Sequence, residues 1–167
     1  MTYKIHGYNK NPHRATSQGK RFNMDYTFVQ EATTVEGNTG KLTTSKDGFN
    51  YYLLVINKFS CHLWVFLFAT KPPSMKTVTI FLTHHGNKTG TQCIQTDQGG
   101  KLDKTITFCK CVLNAGYTLE TTATGSLYQN AIVERLHHTL ADMMRTILGV
   151  SNLNSSYWLH AIHYTVY

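Results

Sequence analysis

Two apolar runs stand close together in this chain, Tyr51-Tyr52-Leu53-Leu54-Val55-Ile56 and Leu63-Trp64-Val65-Phe66-Leu67-Phe68, joined by a short polar turn. Both are rich in β-branched and aromatic residues and neither alternates with polar ones, which predicts a hairpin buried on both faces. Such a hairpin needs a layer on each side, and the rest of the chain supplies candidates. Phe22 to Val29 reads as a strand before it. After it, Pro72-Pro73-Ser74 starts and Gly86 stops a helix with Val78, Phe81, Leu82 and His85 on one stripe. Cys93 to Thr96 is a short strand. Leu102, Ile106, Cys109 and Leu113 recur at helical spacing, and Gly116 ends that helix. Tyr117 to Glu120 is a last strand and Thr121 to Leu127 a loop. Gln129 to Leu148 is the clearest helix, with Ile132, Leu136, Leu140, Met143 and Ile147 as its apolar face. Ser155 or Ser156 caps a final helix carrying Trp158, Ala161, Ile162 and Thr165. The order predicts an α/β domain, a mixed sheet of about five strands flanked by helices.

Bulk properties narrow the class. A chain of 167 residues with 41% hydrophobic content can bury one real core. Residues 1–20 are polar, carry Gly7, Pro12 and Gly19 without periodicity, and read as a linker or tail. Residues 21–167 then form the domain; the chain stops inside the last predicted helix, so a domain truncated within that helix is expected. The longest apolar run, Leu63 to Ala69, falls far short of the roughly 18 residues of a membrane span. Met1-Thr2-Tyr3-Lys4-Ile5-His6 has no signal-peptide core, so a nuclear or cytoplasmic protein without a membrane partner is expected. Sixteen Lys and Arg against nine Asp and Glu give a net charge of +7, which favours a polyanionic partner such as DNA. The cysteines, Cys61, Cys93, Cys109 and Cys111, include no Cys-x-x-Cys pair and read as free thiols.

Three acidic residues sit in distinctive settings. Asp25 follows Phe22-Asn23-Met24 in the first strand. Asp97 lies between Thr96 and Gln98-Gly99-Gly100, where a short strand ends and glycines let the backbone approach a phosphate. Glu134 lies one turn into the long helix after Gln129-Asn130, with 36 residues between it and Asp97. Three carboxylates brought together can hold two hard cations for in-line attack at phosphorus. Asp47 is a rival, but its Lys46-Asp47-Gly48 context suits a turn. The paired histidines, His84-His85 and His137-His138, cannot face one site when adjacent on a helix, and read as caps or solvated residues. The tryptophans and tyrosines read as packing residues, with Tyr26 and Tyr128, beside two of the acids, as secondary candidates for base stacking.

The ordered set of Phe22 to Asp25, the strand pair Tyr51 to Ala69, Thr96 to Gly100, Gln129 to Arg135 with Thr139-Leu140, and Trp158 to Tyr167 resembles the catalytic core of retroviral and retrotransposon integrases, Copia-type (Ty1/copia) elements most closely. The resemblance covers roughly residues 20 to 167. It implies the ribonuclease H-like fold, with Asp25, Asp97 and Glu134 as catalytic metal ligands. The implied cofactor is Mg²⁺ or Mn²⁺, two ions with DNA bound. The implied DNA-binding residues are Lys101, Lys104, Gln129, Asn130, Arg135, His138 and Arg145, and self-association into a homo-oligomer is compatible with it. Zinc is not expected, because the Cys-x-x-Cys of the family's amino-terminal domain is absent although His6 and His13 stand there. The chain departs from relatives at Gln98, Lys101, His138, Asn57 and, beside Asn130, at Ala131, where relatives usually have Gly.

Three functions follow from this. One is an integrase core that cleaves phosphodiesters and transfers DNA strands with bound metal. Another is an inactive nucleic-acid-binding relic of a decayed element, favoured by Ala131 and the missing flanking domains. The third is another ribonuclease H-like nuclease.

Overall fold

The computed structural model describes residues 15, 17–30, 42–70, 74–86, 89, 91–97, 102, 105–121 and 127–166, and for 127–132 the backbone alone. Five strands, β1 (Arg21–Phe28), β2 (Tyr51–Asn57), β3 (Leu63–Phe68), β4 (Gln92–Thr96) and β5 (Tyr117–Thr121), form one sheet in the order β3-β2-β1-β4-β5. β1, β2 and β3 pair antiparallel, whereas β4 runs parallel to both β1 and β5. Helices α1 (Met75–His85), α2 (Ile106–Asn114), α3 (Leu127–Val150) and α4 (Trp158–Val166) complete the predicted order. The protein is an α/β domain with a mixed five-stranded sheet, as its order of elements predicts.

Strand alternation sorts the side chains into two cores. Phe22, Met24, Tyr26, Leu53, Val55 and Ile94 point to one face and pack with Val78, Phe81 and Leu82 of α1 and Phe108 and Val112 of α2. Tyr52, Leu54 and Ile56 point to the other and pack with Val133, Leu140 and Met144 of α3 and Trp158, Ala161 and Ile162 of α4. β2 contributes to both cores, which is why its sequence is apolar without alternation. β3 is half-buried along its whole length, because it is the sheet edge; the expected burial of the hairpin on both faces holds for β2 only.

Other corrections concern helix faces. In α2 the buried residues are Phe108 and Val112, while Ile106 and Leu113, expected on the core face, are exposed. Leu102 is buried but precedes the helix, so including it set the expected face at the wrong angle. In α3 the buried positions are Val133, Leu140 and Met144, and Met143 faces solvent. Ile132 lies outside the residues whose side chains are described. Before α4, Asn154 rather than Ser155 or Ser156 is the cap, its side chain accepting from the Ser156 N–H at the start of a single 3₁₀ turn, Ser155–Tyr157. Gly116 ends α2 at φ +82°, the left-handed conformation that suits glycine. Gly86 ends α1 for another reason: a Cβ there would collide with the Tyr117 hydroxyl and the Leu82 carbonyl oxygen.

Phe22 is at the centre of the first core, fully buried, with its ring 5.1 Å from Phe81 and 6.0 Å from Trp64. We expect Phe22→Ala to destabilise the domain by about 3–5 kcal/mol. Ile106→Ala, on the exposed face of α2, should cost less than about 0.5 kcal/mol. Urea unfolding of the two variants measures both, and equal losses would refute this assignment of the core face.

Candidate catalytic edge of the sheet

β1 carries an apolar face and a polar face. Phe22, Met24 and Tyr26 belong to the first core, so Arg21, Asn23, Asp25 and Thr27 point toward the side of α3 and α4. The parallel ladder pairs Arg21 with Cys93, Phe22 with Ile94 and Asn23 with Gln95. The ladder ends there, so Asp25 and Asp97 each stand two residues beyond its last pair. Asp97 is the first residue beyond β4 and is exposed; Asp25 is half-buried within β1.

Both oxygens of Asp25 are engaged. The Tyr26 backbone N–H donates to Oδ1 at 2.8 Å. His137 Nε2 of α3 lies 2.8 Å from Oδ2, although the ring is turned off the axis of a well-formed hydrogen bond. The other ring nitrogen, Nδ1, is 3.0 Å from the Tyr52 hydroxyl. Burial, and then the charge on Asp25, push the Tyr52 phenol above its ordinary value, so it stays protonated. His137 is therefore neither a cap nor solvated, as its sequence context suggested, but the polar member of the buried stripe Val133, Leu140 and Met144. The signal was available, since 133, 137, 140 and 144 share one helix face.

Glu134 lies on α3 one turn before His137 and is exposed. Among the described residues, no group of three His, Cys, Asp or Glu side chains stands close enough to hold a metal ion. Asp25 and Asp97 offer the oxygen ligands that suit a hard cation. Asp47 lies in a turn beside Gly48, as its sequence predicts, with its Oδ2 3.8 Å from His160 Nε2.

The predicted DNA-binding residues are scattered. Lys101 and Lys104 lie outside the described residues, and Gln129, Asn130 and Ala131 are described only as backbone of α3. Arg135, His138 and Arg145 are exposed on α3. His138 and Arg145 line, with His137 and Tyr52, a cavity of about 470 Å³ between α3, α4 and the end of β1. Arg145 also donates to Asp142 at 2.6 Å, so part of its charge is met within the helix. Tyr26 is not a base-stacking residue: its ring is buried on the opposite face from Asp25, stacked on Tyr51 at 5.6 Å, and its hydroxyl donates to the Thr70 carbonyl. Tyr128 lies among the residues described as backbone alone.

Around the acids the sheet face stays polar. Arg21 pairs with Glu120 of β5, and Lys58 donates to Gln95 at 2.8 Å. Burial and then the nearby Arg21 hold the Lys58 ammonium below its ordinary pKa.

The comparisons fit this architecture. No protein-family model matches the chain. Over 125 residues, 74% of its length, the chain is 26% identical to the retrovirus-related Pol polyprotein from transposon TNT 1-94 of Nicotiana tabacum. It spans only 9% of the length of that polyprotein. A chain of the simian T-cell lymphotropic virus intasome, in complex with the PP2A regulatory subunit B56 gamma, superposes with a TM-score of 0.58 at 14% identity. That superposition covers 89% of this chain and 49% of the other, and it establishes the fold, which is ribonuclease H-like. With the motifs, the sequence likeness fits a Copia-type integrase region, and the superposition shows the fold alone. Among the described residues, no helix is long and apolar enough to cross a membrane.

Burial, above all, raises the Cys93 thiol of β4 to about 11. At pH 8 it is therefore a protonated, shielded thiol, while Cys61 is exposed at a turn. Iodoacetamide on the native protein should modify Cys61 first and leave Cys93 unmodified until denaturant is added, as read by peptide mass mapping. Early modification of Cys93 would show that β4 is not the buried inner strand described.

Proposed function

We propose that the chain is the catalytic core of a retroelement integrase, cleaving phosphodiesters and transferring DNA strands with Mg²⁺ or Mn²⁺. The observation that supports this most is that Asp25 and Asp97 each stand two residues beyond the last pair of the parallel β1–β4 ladder, at the same end of neighbouring strands. Glu134, on the helix that touches Asp25 through His137, is the third ligand in this reading. Two cations, when bound, would lower the pKa of the attacking hydroxyl and stabilise the leaving oxygen. The chain's own part is to hold Asp25 and Asp97 on a rigid sheet, to bring Glu134 from α3, and to lay the exposed Arg135, His138 and Arg145 along the DNA backbone. With a net charge of +7, phosphate contacts supply affinity rather than sequence choice.

A second reading, a DNA-binding relic without activity, draws support from Glu134 standing outside any three-ligand group among the described residues. A branched DNA that mimics a joined product, incubated with the protein and Mn²⁺, separates the two. The catalytic reading expects metal-dependent reversal of joining, reduced at least about a hundredfold in Glu134→Gln, the scale of removing one charge-stabilising group. A folded protein that binds DNA and leaves the branched substrate intact is the relic.

In either case duplex DNA binding should fall by on the order of a hundredfold or more between about 50 and 200 mM salt. Fluorescence anisotropy with two unrelated duplexes measures it. Affinity indifferent to salt would remove the case for a DNA role.

A further inference from the structure

We propose that His137 is a positioning residue for Asp25, held by the Tyr52 hydroxyl at one ring nitrogen and presenting the proton of the other to the carboxylate. The inference deepens the catalytic reading above and rests on it for the metal, but not for the contact itself. Three distances carry it: Tyr52 Oη to His137 Nδ1 at 3.0 Å, His137 Nε2 to Asp25 Oδ2 at 2.8 Å, and the Tyr26 N–H to Asp25 Oδ1 at 2.8 Å. A neutral imidazole has one donor nitrogen and one acceptor nitrogen. The Tyr52 hydroxyl can donate, whereas a carboxylate can only accept. The consistent assignment has Tyr52 donating to Nδ1, which leaves the proton on Nε2, facing Asp25. At 2.8 Å, Oδ2 is within reach of that proton, although the ring is not aligned for a hydrogen bond.

The consequence is orientation. With the Tyr26 N–H on Oδ1 and the His137 ring beside Oδ2, the carboxylate is held from both of its oxygens. Partners of a metal-ligating carboxylate work in this way, and losing one costs about 10- to 100-fold in metal affinity or activity. Tyr52 is buried in the second core, its ring 5.7 Å from that of His137 and 6.3 Å from that of Trp158, so the anchor of the chain of contacts is rigid. Asp25 thereby takes its orientation from the core through Tyr52 and His137, and not from its strand alone.

The test combines a measurement without metal and one with it. Nitrogen chemical shifts of the His137 ring at pH 8 should report the Nε2–H tautomer in the wild type and a tautomer mixture in Tyr52→Phe. An Nδ1–H tautomer in the wild type overturns the proposal. Mn²⁺ alone is then titrated into the folded protein and its binding followed by water-proton relaxation. His137→Leu should weaken binding about 10- to 100-fold, and His137→Gln, which keeps a donor near the same place, should recover most of it. Equal binding by His137→Leu and wild type overturns the positioning role. So does a loss that His137→Gln fails to recover and that tracks a fall in melting temperature, the pattern of a structural role. Asp25→Asn is the separate control. If it binds Mn²⁺ as the wild type does, the catalytic reading fails, and the tautomer measurement still decides whether His137 orients the carboxylate.

Discussion

The parallel pairing of β1 with β4 is the constraint on which the candidate site depends. Its register aligns Phe22 with Ile94 in the first core, and leaves Asp25 and Asp97 each two residues past its last pair. A slip of one residue would carry Phe22 to the polar face and Asp25 into the apolar core. Phe22, Met24 and Ile94 are all buried on one face, so the cost of that slip is the loss of the core. The position of the acids is thus enforced by hydrophobic burial on the opposite side of the same strands. Both acids lie beyond the last pair of the β1–β4 ladder, while Asp25 stays paired with Leu54 of β2.

The other half of that sheet face shows how a small domain keeps polar groups inside. Arg21 is buried and paired with Glu120, Lys58 reaches Gln95, and Asn57 is fully enclosed. Asn57 Oδ1 accepts from the N–H groups of Phe59 and Ser60, closing the turn between β2 and β3. A carboxylate could accept the same two bonds. The amide also avoids burying a charge, at the cost of leaving its Nδ2 without a hydrogen-bond partner.

The sequence disclosed the strands, their order and the acids, because each strand's apolar content and each acid's neighbours are local properties. Helix rotation was less legible. In α3, apolar residues stand in adjacent pairs, Ile132 with Val133, Met143 with Met144 and Ile147 with Leu148. Two faces about 100° apart therefore fit the same periodicity. Packing in the second core, against β2 and α4, selects Val133, Leu140 and Met144. His137 was missed for a related reason: a search for apolar periodicity passes over a polar residue on the buried stripe, and its partners Asp25 and Tyr52 are distant in sequence. In α2 the exposed Ile106 and Leu113 misled in the opposite sense, since apolar residues on a surface carry no signal of their own.

The rotation of α3 also binds the third acid to the histidine. Val133, Leu140 and Met144 fix the helix on the sheet, and His137 lies on the same side, against Asp25. Glu134 precedes His137 by three residues, so the two side chains neighbour each other on one surface of the helix. Any rotation or slide of α3 that carries Glu134 toward Asp25 and Asp97 moves His137 as well. The contact that orients Asp25 and the approach of Glu134 are consequently one mechanical variable, governed by the packing of α3 on β2. A substitution in that packing, far from any acid, would act on both at once.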